Sequence, residues 1–166
     1  MSSTAKSEKH DEVRAAVDRL NADSRSAQQF MKGLTLLLNE NMLKYNWVGF
    51  YMLETGARPP VLVLSHFQGA MTPHTRIHLN QGICGAAASS GKTVVVDDVS
   101  KDPRYLACSL ETKSEIVVPL FVRGEVAGEL DIDSHFPAAF GNDDRELVEY
   151  CAGLTGKRLE AEFKSH

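Results

Sequence analysis

The stretch 115-EIVVPLFVRGEVAGELDIDS-134 decides how this chain folds. Residues 115–122 and 125–134 are strand-like runs separated only by Arg123-Gly124, and a two-residue connection ending in glycine predicts a β-hairpin. Side chains two apart on a strand share a face, so Asp131 and Asp133 point one way and Leu130 and Ile132 the other. If the acids face a pocket, Glu115 on the neighbouring strand joins them.

Working outward, 100-SKDPRYLACSLETKS-114 reads as a polar loop with one helical turn, and it places Cys108 just ahead of the hairpin. Before it, 93-TVVVDDV-99 is a short strand. The small residues of 81-QGICGAAASSGK-92 predict a short, closely packed helix ending at Gly91. Residues 46-NWVGFYMLE-54 and 61-VLVLSHF-67 are strands joined by the turn sequence TGARPP, and a short strand is expected from Arg76 to Leu79. Two helices open the chain. The first runs from His10 with Val13, Ala16, Val17 and Leu20 on one face, and breaks at Asn21 and Asp23. The second, capped by Ser24 or Ser26, carries Phe30, Met31, Leu34, Leu37 and Leu38 and ends near Lys44. A closing helix starts near Asn142 or Asp143, with Asp143 and Glu146 as N-cap and N3. Leu147, Cys151 and Leu154 form its inner stripe.

This order predicts an α+β domain: a mostly antiparallel sheet of about six strands flanked by terminal helices. Residues 1–9 are expected to be a frayed tail and 10–166 a single domain. The 166 residues suffice for a full core. Apolar residues make up 43% and charged residues 24%, as in an ordinary globular protein. The net charge is −4, with no Lys/Arg cluster, so no nucleic-acid footprint is expected. No apolar run approaches the ~20 residues of a membrane span, and the polar N-terminus lacks the apolar centre of a signal peptide. A cytoplasmic location is the expectation. The three cysteines, Cys84, Cys108 and Cys151, include no CxxC pair. An odd number without an export signal points to thiol chemistry rather than a disulfide framework. His74 and His78 have no third ligand at useful spacing, so neither a metal nor a cofactor is expected.

The segments 47-WVGFY-51, 67-FQG-69, 82-GICGAAA-88, 97-DDV-99, 107-AC-108, 113-KSEIVVPL-120 and 130-LDIDS-134 together resemble those of the free methionine-(R)-sulfoxide reductases, stand-alone enzymes with a GAF fold. The resemblance covers most of the chain from about residue 30 onward. It implies a GAF sheet with the N- and C-terminal helices packed on one face. It further implies that Cys108 is the catalytic thiol and Cys84 a second, candidate resolving cysteine. Glu115, Asp131 and Asp133 match the acids of the family's substrate pocket, and Trp47 and Tyr51 its aromatic wall. The implied partners are free methionine-(R)-sulfoxide and thioredoxin or another thiol reductant. A homodimer is expected by analogy with other GAF folds. Two departures stand out. Family members often carry a further cysteine where this chain has His74 and Thr75 in PHTRI, and an Asp where it has Ser109.

The residue types suit that chemistry. Reducing a sulfoxide needs a thiolate to attack sulfur and an acid to protonate the departing oxygen. The attacking cysteine becomes a sulfenic acid, which a second thiol condenses with. A free thiol has a pKa near ~8.5, so a polar, partly exposed loop favours activation, and Arg104 and Lys113 lie close by in sequence. Crowded carboxylates raise at least one pKa, leaving one acid to donate a proton and the others to hold an ammonium group. Trp47 and Tyr51 can pack on the sulfur end. The alternative reading is a small-ligand sensor module acting on a separate partner protein, which would not need a nucleophilic Cys108. An inactive relative is a third.

Overall fold

The computed structural model describes residues 2–56, 58–106 and 110–164, with side chains from Glu8 to Phe163 within those spans. The elements are α1 (Ser2–Asp23), α2 (Ala27–Asn41), β1 (Trp47–Glu54), β2 (Val61–Gln68), β3 (Arg76–His78), α3 (Gly82–Ser90), β4 (Val94–Val96), a 3-10 turn (Val99–Lys101), β5 (Ser114–Val122), β6 (Glu125–Ser134) and α4 (Asn142–Lys164). The strands form one six-stranded sheet in the order β3-β2-β1-β6-β5-β4. Every neighbouring pair is antiparallel.

The β5–β6 hairpin lies at the sheet's centre of gravity, because β6 pairs with β5 on one side and β1 on the other. Arg123 and Gly124 both take positive φ, 54° and 78°, the backbone twist that a tight hairpin requires and glycine tolerates best.

Alternation sorts each strand between two layers. On one face, Val48, Phe50, Ile116, Val118, Leu120, Leu130 and Ile132 pack with Val13 and Val17 of α1, Phe30, Met31, Leu34 and Leu38 of α2, and Leu147, Val148 and Cys151 of α4. The terminal helices therefore share one face, as expected. Each fully buried large side chain there contributes about 1.5–3 kcal/mol. On the other face, Trp47, Tyr51, Leu62, Ile77 and Val117 pack with Ile83, Cys84, Ala87 and Ala88 of the single helix α3. With only one short helix over it, this face retains room for a site.

Several boundaries differ from the sequence reading. Residues 2–9, expected as a frayed tail, continue α1, which then runs through Asp23 instead of breaking at Asn21. Its end is closed by Ser24, whose hydroxyl donates to the Leu20 carbonyl at 2.7 Å. The capping serine of α2 is Ser26, whose Oγ accepts from the Gln29 N–H at 3.0 Å. This helix stops at Asn41 rather than Lys44 because Met42 turns extended, with its N–H still bonded to the Leu38 carbonyl. The strand expected over 93–99 shortens to Val94–Val96, since Asp98 Oδ1 accepts from the Ser100 N–H and starts the 3-10 turn. At α4 the capping pair falls two residues earlier than Asp143 and Glu146. Asp144 Oδ2 reaches back to the Gly141 N–H at 3.0 Å, the N3-to-N-cap half of a capping box. Asp144 Oδ1 also accepts from the Tyr45 hydroxyl at 2.6 Å and faces His10 Nε2 at 2.8 Å, tying α1, α4 and the entry to β1 together. Among the described residues no helix is long and apolar enough to cross a membrane.

Leu34 is fully buried on the helix-covered face, away from the side chains beneath α3. Leu34→Ala is expected to lower stability by about 2–5 kcal/mol, measured by urea unfolding.

Candidate active site

The register of three strands assembles the site. Glu115 on β5 pairs with Asp133 on β6, which pairs in turn with Trp47 on β1. One step along, Asp131 lies between Val117 and Gly49; one further, Glu129 lies between Pro119 and Tyr51. Glu115, Glu129, Asp131, Asp133, Trp47 and Tyr51 thus share the face beneath α3. Helix α3 brings Cys84 down onto them, with Sγ 3.5 Å from Asp131 Oδ2.

The aromatic wall is held from both ends. The Trp47 ring lies across Gly49, where a Cβ would sit 2.4 Å from the indole, so no larger residue fits there without moving the ring. The indole N–H donates to the Ala70 carbonyl at 3.0 Å, and the ring stacks on Phe67 with centroids 5.7 Å apart. Tyr51, 6.2 Å from Trp47 between centroids, donates its hydroxyl to the His74 carbonyl at 2.7 Å. His74, at the position where a family cysteine was noted to be replaced, therefore enters the wall through its backbone. A small cavity of about 10 Å³ is lined by Tyr51, Ile77, Gly82, Ile83, Cys84, Leu106, Glu115 and Asp131. A second, of about 90 Å³, includes Trp47, Thr72, Thr112 and Asp133 in its lining. Two larger cavities, of about 550 and 370 Å³, lie against α4 and between α1 and α2. Neither touches this cluster, so volume alone does not locate the chemistry.

The four acids are almost wholly buried, from 0% exposure at Glu129 to 5% at Glu115. Burial raises the pKa of each, because a charge in a poorly solvated interior is disfavoured. Their neighbours then divide them. Hydrogen bonds from Glu115, Cys84 and Asp133 oppose the rise at Asp131, which makes it the most readily ionised of the set. The charges of Asp131 and Asp133 push Glu115 further up, and that of Asp131 does the same to Asp133. The Asp131 environment thus opposes the effect of burial most, while burial and neighbouring charge favour the protonated form at Glu115 and Asp133. Cys84 is also pushed well up, by burial first and then by Asp131, Glu129 and Glu115. It is a thiol at rest. Cys151, in the helix-covered core, is raised by burial to about 12 and is inert.

The sequence reading named six of these side chains, and the structure brings Trp47, Tyr51, Cys84, Glu115, Asp131 and Asp133 to one face. Cys108, the expected nucleophile, lies outside the described residues. Arg104, noted as a cation near that loop, is engaged by Asp102, with Nη2 2.6 Å from Oδ2. The reading missed Glu129. Its signal was present, since Glu129, Asp131 and Asp133 follow the same alternation of two. Both Glu129 oxygens are buried without a hydrogen-bond partner, as are Asp131 Oδ1 and Asp133 Oδ1.

Comparison with known proteins agrees with this geometry. Residues 27–159 match the GAF domain family. The chain is 41% identical over 113 residues to a free methionine-R-sulfoxide reductase of Saccharomyces cerevisiae, covering 68% of this chain and 62% of the yeast protein. It is 33% identical to a protein of the same name from Escherichia coli, over 93% of this chain and 90% of the other. The structure superposes with a TM-score of 0.89, at 37% identity, on the free methionine-R-sulfoxide reductase of Neisseria meningitidis in complex with its substrate, covering 97% and 94% of the two chains.

Glu129 provides a direct measure of what this burial costs. Its pKa is raised on folding, so its contribution to stability is fully present below the unfolded-state value and is lost as pH rises through the folded-state value. Glu129→Met is therefore expected to stabilise the protein by about 1–3 kcal/mol at pH 7. The gain should shrink as pH falls toward the ordinary carboxylate range, read from urea unfolding at several pH values.

Proposed function

The chain belongs to the free methionine-(R)-sulfoxide reductase family of GAF domains, and we propose that it reduces free L-methionine-(R)-sulfoxide to L-methionine with Cys108 as the attacking thiol. The observation that carries this reading is the buried set of carboxyl groups Glu115, Asp131 and Asp133 on one sheet face, with Cys84 held against them. A free amino acid offers an ammonium group for a carboxylate of this set and a sulfoxide oxygen for a member that stays protonated. A methionine inside a protein chain has no such ammonium group.

In the proposed reaction, Asp131 and Asp133 receive the ammonium, and Trp47 and Tyr51 pack on the methyl-sulfur end. Cys108 attacks the sulfoxide sulfur as thiolate while Glu115 donates a proton to the oxygen. The oxygen then shifts from the substrate sulfur to Cys108 Sγ as the transient sulfur–sulfur bond breaks, so methionine leaves with its electron pair and Cys108 is left as a sulfenic acid. Cys84 then displaces that oxygen as water. An S–S bond forms between Cys84 and Cys108, and the Cys84 proton passes by way of Asp131, its hydrogen-bond acceptor, to the departing hydroxyl. A dithiol reductant of the thioredoxin kind restores both thiols. A cytoplasmic location, where such reductants are maintained, suits this proposed cycle. A ligand-sensing module would need the carboxylates but neither a nucleophilic Cys108 nor a Cys84 thiol held against Asp131.

The test is methionine formation from free methionine-(R)-sulfoxide with dithiothreitol as reductant. Wild type should turn over and Cys108→Ser should not; activity retained in Cys108→Ser overturns the assignment of the nucleophile. Glu115→Gln is expected to lower kcat by about 10²–10⁴-fold, the usual effect of removing a general acid. Recycling is separable: mass spectrometry after one turnover without reductant should show a Cys84–Cys108 linkage. Its absence would replace the resolving thiol with direct reduction by an external thiol.

A further inference from the structure

The Cys84 corner of the site has a second chemical identity. We propose that Cys84, Glu115 and Asp131 form a binding site for a divalent cation of borderline softness, for which Zn²⁺ is the probe. The three residues come from three elements, α3, β5 and β6, and are each at most 6% exposed. One ligand atom from each, a cysteine sulfur and two carboxyl oxygens, lies within 4.8 Å of the others, and binding the cation releases the Cys84 thiol proton and any carboxyl proton to solvent. The Cys84 Sγ to Asp131 Oδ2 separation of 3.5 Å is the distance between a sulfur and an oxygen that share a tetrahedral zinc, given bonds of about 2.3 and 2.0 Å.

A second observation points to a positive guest. Asp131 Oδ1 is buried, on this face, without a hydrogen-bond partner. The described residues lining the cavity beside Cys84 include no Lys, Arg or His, so no basic side chain among them answers that oxygen. Sulfur in the donor set selects Zn²⁺ over the hard cations Mg²⁺ and Ca²⁺, which prefer all-oxygen surroundings. The histidines His74 and His78, which first suggest a metal pair in the sequence, take no part. The cation would occupy carboxylates assigned to the substrate ammonium, so zinc and substrate should exclude each other; this consequence alone rests on the function proposed above.

The experiment titrates Zn²⁺ into the reduced full-length protein against a chromophoric chelator and repeats the titration with Co²⁺. The expected result is one ion per chain, with a sulfur-to-cobalt charge-transfer band in the near ultraviolet. Both should be retained in Cys151→Ser and Cys108→Ser. In Cys84→Ser the band should vanish and the affinity should fall by more than the roughly 10–100-fold that loss of an outer partner costs; Asp131→Asn should also weaken binding. Circular dichroism establishes that each variant is folded. No binding by the wild type, equal affinity in folded Cys84→Ser, or a band lost only in Cys108→Ser each overturns the proposal. Displacement of Zn²⁺ by free methionine sulfoxide supports both assignments. One zinc bound through Cys84 but indifferent to the sulfoxide upholds the metal site and instead removes the ammonium from these carboxylates.

Discussion

A slip of one residue in the β5–β6 pairing would turn Glu115, Asp131 and Asp133 into the layer beneath α1, α2 and α4, and would bring Ile116, Leu130 and Ile132 out of it. The hairpin register therefore holds both halves of the molecule at once. The tight Arg123-Gly124 turn starts it, and the apolar alternation keeps it, because this register buries Ile116, Val118, Leu120, Leu130 and Ile132 together under the helices. The acids go to the opposite face as a consequence. Their burial is energetically unfavourable in itself, and the rest of the structure offsets it.

That opposition explains the asymmetry of the two layers. Three helices cover one face and supply most of the core, including Phe30, Leu34, Leu38, Leu147 and Val148. On the other face the one α-helix among the described residues is α3, whose small residues let it sit close to the sheet and bring Cys84 within hydrogen-bonding distance of Asp131. A stable layer thus supports an unstable one. Buried, under-partnered carboxyl groups persist where the surrounding fold over-determines them, and such places are where function is usually found.

Within the site, the division of charge follows from position rather than residue type. Asp131 and Asp133 are the same amino acid two residues apart, yet Asp131 receives the hydrogen bonds that favour ionisation and Asp133 sits in its field. Neighbouring acids whose environments push them apart in this way offer a cation-binding group and a proton donor on one sheet face. The same arrangement suits an ammonium group and, with the Cys84 sulfur, a borderline metal ion.

Much of this was legible in the sequence because it depends on local rules. Periodicity located the strands and helices, the Arg-Gly turn located the hairpin, and alternation put Asp131 and Asp133 on one face. The motif wording named the family. Element ends were misplaced where a side chain chose between partners: Ser24 closes α1 while Ser26 opens α2, and Asp144, not Asp143, reaches the α4 cap. Glu129 was overlooked because a charged residue in a strand ordinarily faces water. Only the sheet order β3-β2-β1-β6-β5-β4, with α3 folded over it, shows that its side of β6 is closed. The sequence by itself determined which residues share a face of each strand, since that is a property of the extended backbone. The tertiary structure alone decided which faces meet, that Cys84 lies over Asp131, and which acid keeps its charge, because burial and electrostatic coupling depend on neighbours that are distant along the chain.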